Sequence, residues 1–178
     1  MRLFFAYWPS PETAARIEPW ARRAHALYGG RMMRTETLHM TLAFLGPTEP
    51  DRVRALAHDC TGWRLPAGAM TLHEPGCFAR ARVVWLGPGA RDPALEWLFQ
   101  ANERLWRYLA PYGWQRQEPV FRPHVSLLRN AKPGDLSQLR GTPVSWAPQR
   151  CILVGSQPQA SGSRYTMLAE VPLEPADT

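Results

Sequence analysis

Two short segments of the sequence place a histidine two residues before a hydroxyl side chain. His39 precedes Thr41, and much later in the chain His124 precedes Ser126. Both segments alternate apolar and polar residues and are rich in β-forming types, so each predicts a strand. Residues two apart in a strand point to the same face, and each segment therefore presents an imidazole beside a hydroxyl. Together they predict two half-sites that face each other across a cleft.

A pair of imidazoles with neighbouring hydroxyls suits the hydrolysis of a phosphodiester. One imidazole can take a proton from the attacking water while the other gives a proton to the departing oxygen, because the ordinary pKa of histidine lies near neutrality. The hydroxyls of Thr41 and Ser126 can donate hydrogen bonds to the phosphoryl oxygens, where negative charge develops. The similarity of the two motifs leaves open which histidine is the acid and which is the base.

Two arginines flank the second histidine and are candidate phosphate ligands. Arg122 lies two residues before His124 and shares its face by simple alternation. Arg129 lies five residues after His124, so in a flat strand it points to the opposite face. It can reach the phosphate only if the strand bulges, bends or ends there. The nearby aromatic residues Phe44 and Trp85 are expected in the core.

The elements that must position these residues alternate between strands and helices. A first helix is expected from the cap Ser10 to Gly29, with Pro19 kinking or restarting it, and two more helices begin at Pro50 and Asp92. A polar loop over residues 156–163 and a frayed tail from residue 172 complete the pattern. Strands are predicted over residues 2–8, 38–46, 70–78, 83–86, 120–128, 144–146, 152–154 and 165–171.

This order predicts one α+β domain over residues 1–178. It would be bilobal, with two mainly antiparallel β-sheets facing a central cleft and the helices packed on the outside. The length of 178 residues, with 45% hydrophobic residues, is enough for one substantial core.

The charge of the chain favours a polyanionic partner. The formal net charge is +6, and all the basic side chains but Lys132 are arginines, whose planar guanidinium suits phosphate. Cys60, Cys77 and Cys151 are scattered, so the sequence indicates neither a disulfide framework nor a metal site. No segment reaches membrane-spanning length. We therefore expect a cytoplasmic monomer without a metal, a cofactor or a membrane partner.

The ordered set of motifs resembles the two-histidine phosphoesterase superfamily. Within it, the similarity is to the RNA 2′,3′-cyclic phosphodiesterases of bacteria and archaea, formerly called 2′-5′ RNA ligases. One departure is Ser126, where many members have threonine; the hydroxyl is kept, so packing changes more than chemistry. The resemblance is carried by the opening strand, the first motif with its trailing Phe-Leu-Gly, a middle hairpin, the second motif and the turn before the last strand, at residues 2–6, 39–46, 76–87, 122–129 and 162–165.

The resemblance implies a substrate and a role for each histidine. The substrate is RNA or an oligonucleotide that ends in a 2′,3′-cyclic phosphate, the product is a 2′-phosphomonoester, and 2′-5′ RNA ligation is an additional activity. The reaction needs no metal. His39 is the proton donor to the leaving oxygen, and His124 is the base that activates water. The implied substrate-binding residues are Thr41, Ser126, Arg129 and Arg122.

Three other functions fit parts of the sequence. A non-catalytic RNA-binding module accounts for the basic charge but not for the paired hydroxyls. A cyclic phosphodiesterase of small nucleotides accounts for both and differs in its preference for substrate length. A hydrolase with Ser126 as its nucleophile lacks the Gly-x-Ser-x-Gly turn that exposes such a serine.

Overall fold

The computed structural model of the protein describes residues 1–176. No helix in this range is long and apolar enough to cross a membrane. The described chain forms three α-helices, which are α1 (Pro11–Tyr28), α2 (Pro50–Asp59) and α3 (Glu96–Leu109). It also forms twelve β-strands, which are β1 (Arg2–Tyr7), β2 (Arg31–Met32), β3 (Met40–Pro47), β4 (Leu65–Ala67), β5 (Met70–Leu72), β6 (Glu74–Phe78), β7 (Val83–Gly87), β8 (Val125–Arg129), β9 (Val144–Trp146), β10 (Cys151–Gln159), β11 (Gly162–Val171) and β12 (Leu173–Pro175).

One antiparallel sheet contains most of the strands. Its order is β11-β10-β1-β3-β8-β7-β6, and β2 joins it by pairing with β8. Two smaller ribbons, β4 with β12 and β5 with β9, lie outside this sheet. The predicted α+β class with mainly antiparallel strands is therefore confirmed.

The strands that the sequence predicts as two facing sheets are instead two halves of this one large sheet. The inner strands of the halves are β3 and β8, and the residue pair that joins them is Met40 opposite Val125. The halves thus meet edge to edge at this pair. Because each of the two residues directly follows a motif histidine, the junction also brings the two motifs together.

All three helices pack on one face of the sheet. Ile17 of α1, Leu56 of α2 and Leu98 of α3 belong to the main buried cluster. Helix α1 lies against β8 and α3 lies against β3, so each histidine strand has a helix behind it. On the other face of β1, Phe4 and Trp8 form a second, smaller cluster with residues of β10. The helices leave that second face available for a site.

Local sequence signals set the limits of α1 as predicted. The Ser10 hydroxyl accepts a hydrogen bond from the Thr13 amide at 3.2 Å, which caps the first turn. The helix ends at Gly29, whose φ of 65° is in the left-handed region that glycine adopts without strain. Between these caps the helix does not restart at Pro19 but continues through it.

The second histidine strand is shorter than the sequence predicts. We expect a strand from about residue 120, but β8 begins only at Val125. Pro119 and Pro123 lack the amide hydrogen that a paired strand donates, so the segment before His124 stays irregular.

Two segments predicted as irregular form strands instead. The polar residues 156–163 continue the β10–β11 ladder as far as the pair Gln159 and Gly162, because a hairpin with both faces near solvent tolerates polar side chains. The tail from Pro172 forms β12, which pairs in parallel with β4. The part of the predicted frayed tail at residues 177–178 lies outside the described residues.

A buried hydrogen bond ties β1 to the ribbon formed by β4 and β12. The Tyr7 side chain is fully buried, and its hydroxyl donates to the carbonyl oxygen of Pro66. We predict that Tyr7→Phe lowers the free energy of unfolding by about 1–3 kcal/mol, because the buried carbonyl loses its partner. Urea unfolding followed by circular dichroism measures this change.

Tyr108→Phe is the matched control for this variant. The Tyr108 hydroxyl makes a longer, exposed bond of 3.3 Å to the Arg64 carbonyl, which water can replace, while its ring stacks on Trp63 in either form. We expect this substitution to change the free energy of unfolding by less than about 0.5 kcal/mol. Equal losses for the two variants would contradict a special contribution from the buried bond.

Candidate active site

The two motif histidines flank the pair that joins the halves of the sheet. His39 and His124 each lie one residue before a strand, since β3 begins at Met40 and β8 at Val125. Met40 and Val125 are fully buried on the helix side, so the residues on either side of them face the opposite surface. Antiparallel pairing at this point directs residue 39 toward residue 126 and residue 124 toward residue 41. Each imidazole therefore lies across the junction from the other motif's hydroxyl.

A β-bulge in β8 brings Arg129 to the same surface as the motif. Trp85 pairs with Ser126 but Val84 pairs with Leu128, so Leu127 is an extra residue on β8. Leu127 and Leu128 are both buried, and the alternation is reversed after them. Ser126 and Arg129 consequently face the cleft together. The sequence requires a bulge, a bend or the end of the strand for Arg129 to reach the phosphate, and the bulge meets this requirement.

The first histidine strand carries an equivalent bulge. Phe5 pairs with Ala43 but Ala6 pairs with Thr41, so Leu42 is the extra residue on β3. Its consequence is that Phe44, the counterpart of Arg129, turns to the cleft and is 57% exposed. The prediction that Phe44 lies in the core is wrong, because simple alternation does not hold across a bulge.

Asn102 supports the bulge in β3 and was not predicted from the sequence. The side chain is buried on α3, and its Nδ2 donates to the carbonyl oxygen of the extra residue Leu42 at 2.7 Å. Its Oδ1 accepts a hydrogen bond from Arg116. The signal in the sequence is a lone amide on the apolar face of a helix, which must find partners when it is buried.

A cavity of about 630 Å³ is lined by most of the predicted site residues. This volume is adequate for a nucleotide-sized ligand. His39 is not part of the cavity lining. It lies beside the cavity, near enough to Arg129 and His124 for their positive charges to lower its pKa. Five of the six predicted residues line the cavity: Thr41, Arg122, His124, Ser126 and Arg129.

Both imidazoles are oriented by the same backbone contact. Nδ1 of His39 lies 2.7 Å from the carbonyl oxygen of Thr37, and Nδ1 of His124 lies 2.6 Å from the carbonyl oxygen of Arg122. A carbonyl only accepts hydrogen bonds, so Nδ1 carries the hydrogen in each ring. Nε2 is then the nitrogen that exchanges a proton with a ligand in both motifs.

Aromatic rings surround His39 on three sides. Phe4 and Trp8 stack on the imidazole with ring centroids at 4.9 and 5.0 Å, and Tyr165 meets it edge-on at 5.6 Å. The sequence shows β1 only as a run of apolar residues on both faces. In the structure, the face of β1 that no helix covers holds the smaller cluster of Phe4 and Trp8, and His39 packs on that cluster.

His124 has a lighter aromatic environment. Phe78 meets the ring edge-on at 4.8 Å, and Trp85 is tilted against it at 5.9 Å. Trp85 is half-buried rather than a core residue, and both rings come from the β6–β7 hairpin. The two histidines are thus alike in their backbone contacts and differ in how completely aromatic rings cover them.

These environments lower the pKa of both histidines. The pKa of His39 falls from 6.5 to about 4, chiefly because burial disfavours the charged ring; the Thr37 carbonyl opposes this, and Arg129 and His124 add to it. Burial also lowers the pKa of His124, against the effects of the Arg122 carbonyl and Glu118. Both imidazoles are therefore neutral at pH 7 in the free protein.

We predict that NMR titration shows His39 gaining its proton near pH 4 and His124 below its ordinary pKa of 6.5. Tyr165→Ala admits water beside His39 and should raise the pKa of His39, because hydration favours the charged ring. The pKa of His124 provides the internal control, since the aromatic neighbours of that ring are Phe78 and Trp85 and Tyr165 contacts the ring of His39. A His39 pKa at or above 6.5 in the unaltered protein would contradict the burial described above.

Sequence comparison connects this geometry to known proteins. Residues 9–152 match the sequence profile of the 2′-5′ RNA ligase superfamily. The RNA 2′,3′-cyclic phosphodiesterase of Escherichia coli (strain K12) is 33% identical over 167 residues, covering 94% of this chain and 93% of that protein. A protein of the same name from Thermotoga maritima is 27% identical over 157 residues, covering 83% of this chain and 81% of that protein.

Structural comparison leads to the same group. The crystal structure of Escherichia coli LigT in its apo form has a TM-score of 0.76 and 32% identity, covering 97% of this chain and 96% of that chain. LigT complexed with 3′-AMP has the same TM-score of 0.76 and covers 97% of both chains. The profile match spans most of the chain, and it includes both histidine motifs. The chain belongs to the 2′-5′ RNA ligase superfamily.

Proposed function

We propose that the protein hydrolyses the 2′,3′-cyclic phosphate ends of RNA to 2′-phosphomonoesters by acid–base catalysis with two histidines. The observation that carries the proposal is the pair of histidine–hydroxyl units across the Met40–Val125 junction, each with Nδ1 held by a carbonyl. The names of the Escherichia coli and Thermotoga maritima relatives support the same substrate. We place the reaction in the cytoplasm, in keeping with free cysteines at all three positions, and we assign it to a monomer.

The reaction is an in-line displacement at phosphorus. Nε2 of His124 takes a proton from water as the water oxygen forms its bond to phosphorus. The bond from phosphorus to the ribose O3′ breaks, and Nε2 of His39 gives its proton to that oxygen. The phosphate stays on O2′. A 5′-hydroxyl in place of water would form a 2′-5′ linkage by the same step, which accounts for ligation as an additional activity.

Hydroxyl and guanidinium groups complete the site. Thr41 and Ser126 lie on the surface between the imidazoles and donate to the phosphoryl oxygens. The β8 bulge directs Arg129 to the same surface, where it adds charge-assisted hydrogen bonds. Arg122 is exposed at the cavity wall and stabilises the bound anion from the His124 side.

Substrate binding supplies the protonation state that the reaction needs. The free protein holds both rings neutral at pH 7, whereas the proposed donor must carry a proton. A phosphodiester anion beside a buried imidazole favours the charged ring and raises its pKa. The proton on His39 is therefore taken up together with the substrate rather than held in advance.

A small cyclic nucleotide is the second candidate substrate. The cavity of about 630 Å³ holds one nucleotide without further RNA, and this observation supports the candidate. The serine hydrolase has no comparable support, because Ser126 lies within β8 and not at a strand-to-helix turn. Relative kcat/KM values for a cyclic mononucleotide and a cyclic-ended oligonucleotide distinguish the two substrates.

We predict that His39→Ala and His124→Ala each reduce kcat/KM by about a hundredfold to ten-thousandfold on an oligonucleotide with a 2′,3′-cyclic phosphate, assayed in EDTA. The double variant should lose much less than the product of the single losses, because the two rings act on one displacement. Product chromatography identifies the 2′-phosphomonoester, and circular dichroism confirms folding. A folded single variant with wild-type turnover would contradict the two-histidine mechanism.

Thr41→Val and Ser126→Ala are the milder variants for the same assay. Each removes one neutral hydrogen-bond donor to phosphate and leaves both imidazoles in place. We expect each to reduce kcat/KM by less than either histidine substitution. Abolition of activity by EDTA in the unaltered protein, with recovery on adding a divalent ion, would contradict the proposed mechanism independently of these variants.

We predict a bell-shaped dependence of kcat/KM on pH with its maximum below pH 6.5. The rate rises with pH as the base loses its proton and falls as the acid loses its proton, and in the free protein both pKa values lie below the ordinary value. The limbs report the coupled pair rather than single residues. The maximum of kcat should lie at higher pH, since bound phosphodiester raises both pKa values.

This prediction is tested by comparing the pH profile of kcat/KM with the pH profile of kcat. Initial rates at several substrate concentrations, taken from about pH 4 to about pH 9, give kcat/KM for the free protein and kcat for the complex. A maximum of kcat/KM above neutrality would contradict the buried, neutral histidines. Coincident maxima for the two parameters would contradict proton uptake with the substrate.

A further inference from the structure

A small polar pocket lies on the His39 side of the junction, separate from the main cavity. It is lined by Arg31, Arg34 and Arg129, and by the tip of the β10–β11 hairpin from Ser161 to Ser163. The main cavity and this pocket share Arg129. Thr37, whose carbonyl orients His39, also lines the pocket. The pocket therefore adjoins the half of the site in which His39 acts.

Two of these arginines are direct neighbours of like charge. Arg31 on β2 pairs with Arg129 on β8 in antiparallel register, so their side chains lie on the same face. Like charges directly opposite each other destabilise a sheet. Within residues 1–176, neither guanidinium makes an ion pair with a carboxylate. An anion bound between them would remove this repulsion.

The rest of the pocket is arranged around the same charges. The hairpin tip approaches closely at Gly162, where a Cβ would lie 3.2 Å from Nη1 of Arg31. Arg34 adds a third positive charge and is only weakly paired, since its Nε lies 3.8 Å from Glu36 and both side chains are well exposed. The hydroxyls of Ser161 and Ser163 supply neutral donors. Three guanidinium groups with hydroxyls form a site suited to a phosphate.

The proposed mechanism places the RNA chain on this side. In an in-line displacement the leaving O3′ lies opposite the attacking water. If His39 protonates O3′ and His124 activates water, the ribose is on the His39 side of the phosphorus. The rest of the RNA extends from that ribose through its 5′ oxygen. The next phosphate along the chain therefore lies on the side of Arg31 and Arg34, away from His124.

We infer that this pocket is a second phosphate subsite, which binds the phosphate attached to the 5′ oxygen of the terminal nucleoside. The inference rests on the proposed function and deepens it, because it assigns recognition of the RNA beyond the terminal nucleoside to Arg31 and Arg34. The subsite contacts a part of the substrate that does not react. Its contribution is to binding, so it appears in KM more than in kcat.

The experiment compares two substrates that differ only in this phosphate. These are adenosine 2′,3′-cyclic phosphate and the same compound with a 5′-phosphate. We expect the unaltered protein to prefer the 5′-phosphorylated compound by about tenfold to a hundredfold in kcat/KM, the usual worth of charge-assisted hydrogen bonds. Arg31→Gln and Arg34→Gln should each reduce this ratio, mainly through KM. Their combination should bring it close to one.

Arg80→Gln is the matched control, because Arg80 is also exposed but lines a cavity on the His124 side. The ratio of kcat/KM between the 5′-phosphorylated and the unphosphorylated compound should be unchanged in this variant. A ratio that falls in Arg80→Gln and not in Arg31→Gln would overturn the assignment and place the RNA on the His124 side. A ratio near one in the unaltered protein would refute the subsite while the hydrolase stands. Failure to hydrolyse either compound or a cyclic-ended oligonucleotide would instead refute the proposed function.

Discussion

The pairing of Met40 with Val125 is the contact on which the site depends. It joins the two halves of the sheet and fixes their register, and the motif histidines directly precede its two residues. Both residues are fully buried against the helices, which holds the junction from behind. A slip of one residue would turn each imidazole and hydroxyl toward the helices and the apolar residues toward the cleft. The same pair thus secures the fold and the alignment of the chemistry.

The two halves of the site share a backbone plan but differ in their side chains. Each strand has a motif histidine, a buried residue, a hydroxyl, two buried residues and then an exposed residue, because each has a bulge after its hydroxyl. In β3 the exposed residue is Phe44, and in β8 it is Arg129. One side of the cleft is therefore aromatic where the other is cationic. A substrate with a flat apolar base and an anionic phosphate suits such an asymmetric cleft.

Burial of His39 has opposite effects on its structure and its chemistry. Stacking on Phe4 and Trp8 fixes the ring, and the Thr37 carbonyl fixes its tautomer. The same burial lowers its pKa to about 4, which works against a role as proton donor in the free protein. An anion in the site reverses this balance because it stabilises the imidazolium. Under the proposed mechanism, acid catalysis by His39 is available when the phosphate is bound, and the free protein keeps a neutral ring.

The sequence by itself determined the histidine–hydroxyl units, the α+β class and the family, because these follow from residue types, short-range alternation and caps such as Ser10. It also identified Arg129 as a candidate and the bulge as the condition for its use. The tertiary structure decided which side chains face the cleft where the alternation of apolar and polar residues is interrupted. Only strand pairing shows that Leu42 and Leu127 are extra residues, which turn Phe44 and Arg129 into the cleft. Likewise, the cover of His39 by β1 and the pairing of Arg31 with Arg129 join residues far apart in the chain, and no local pattern encodes such contacts.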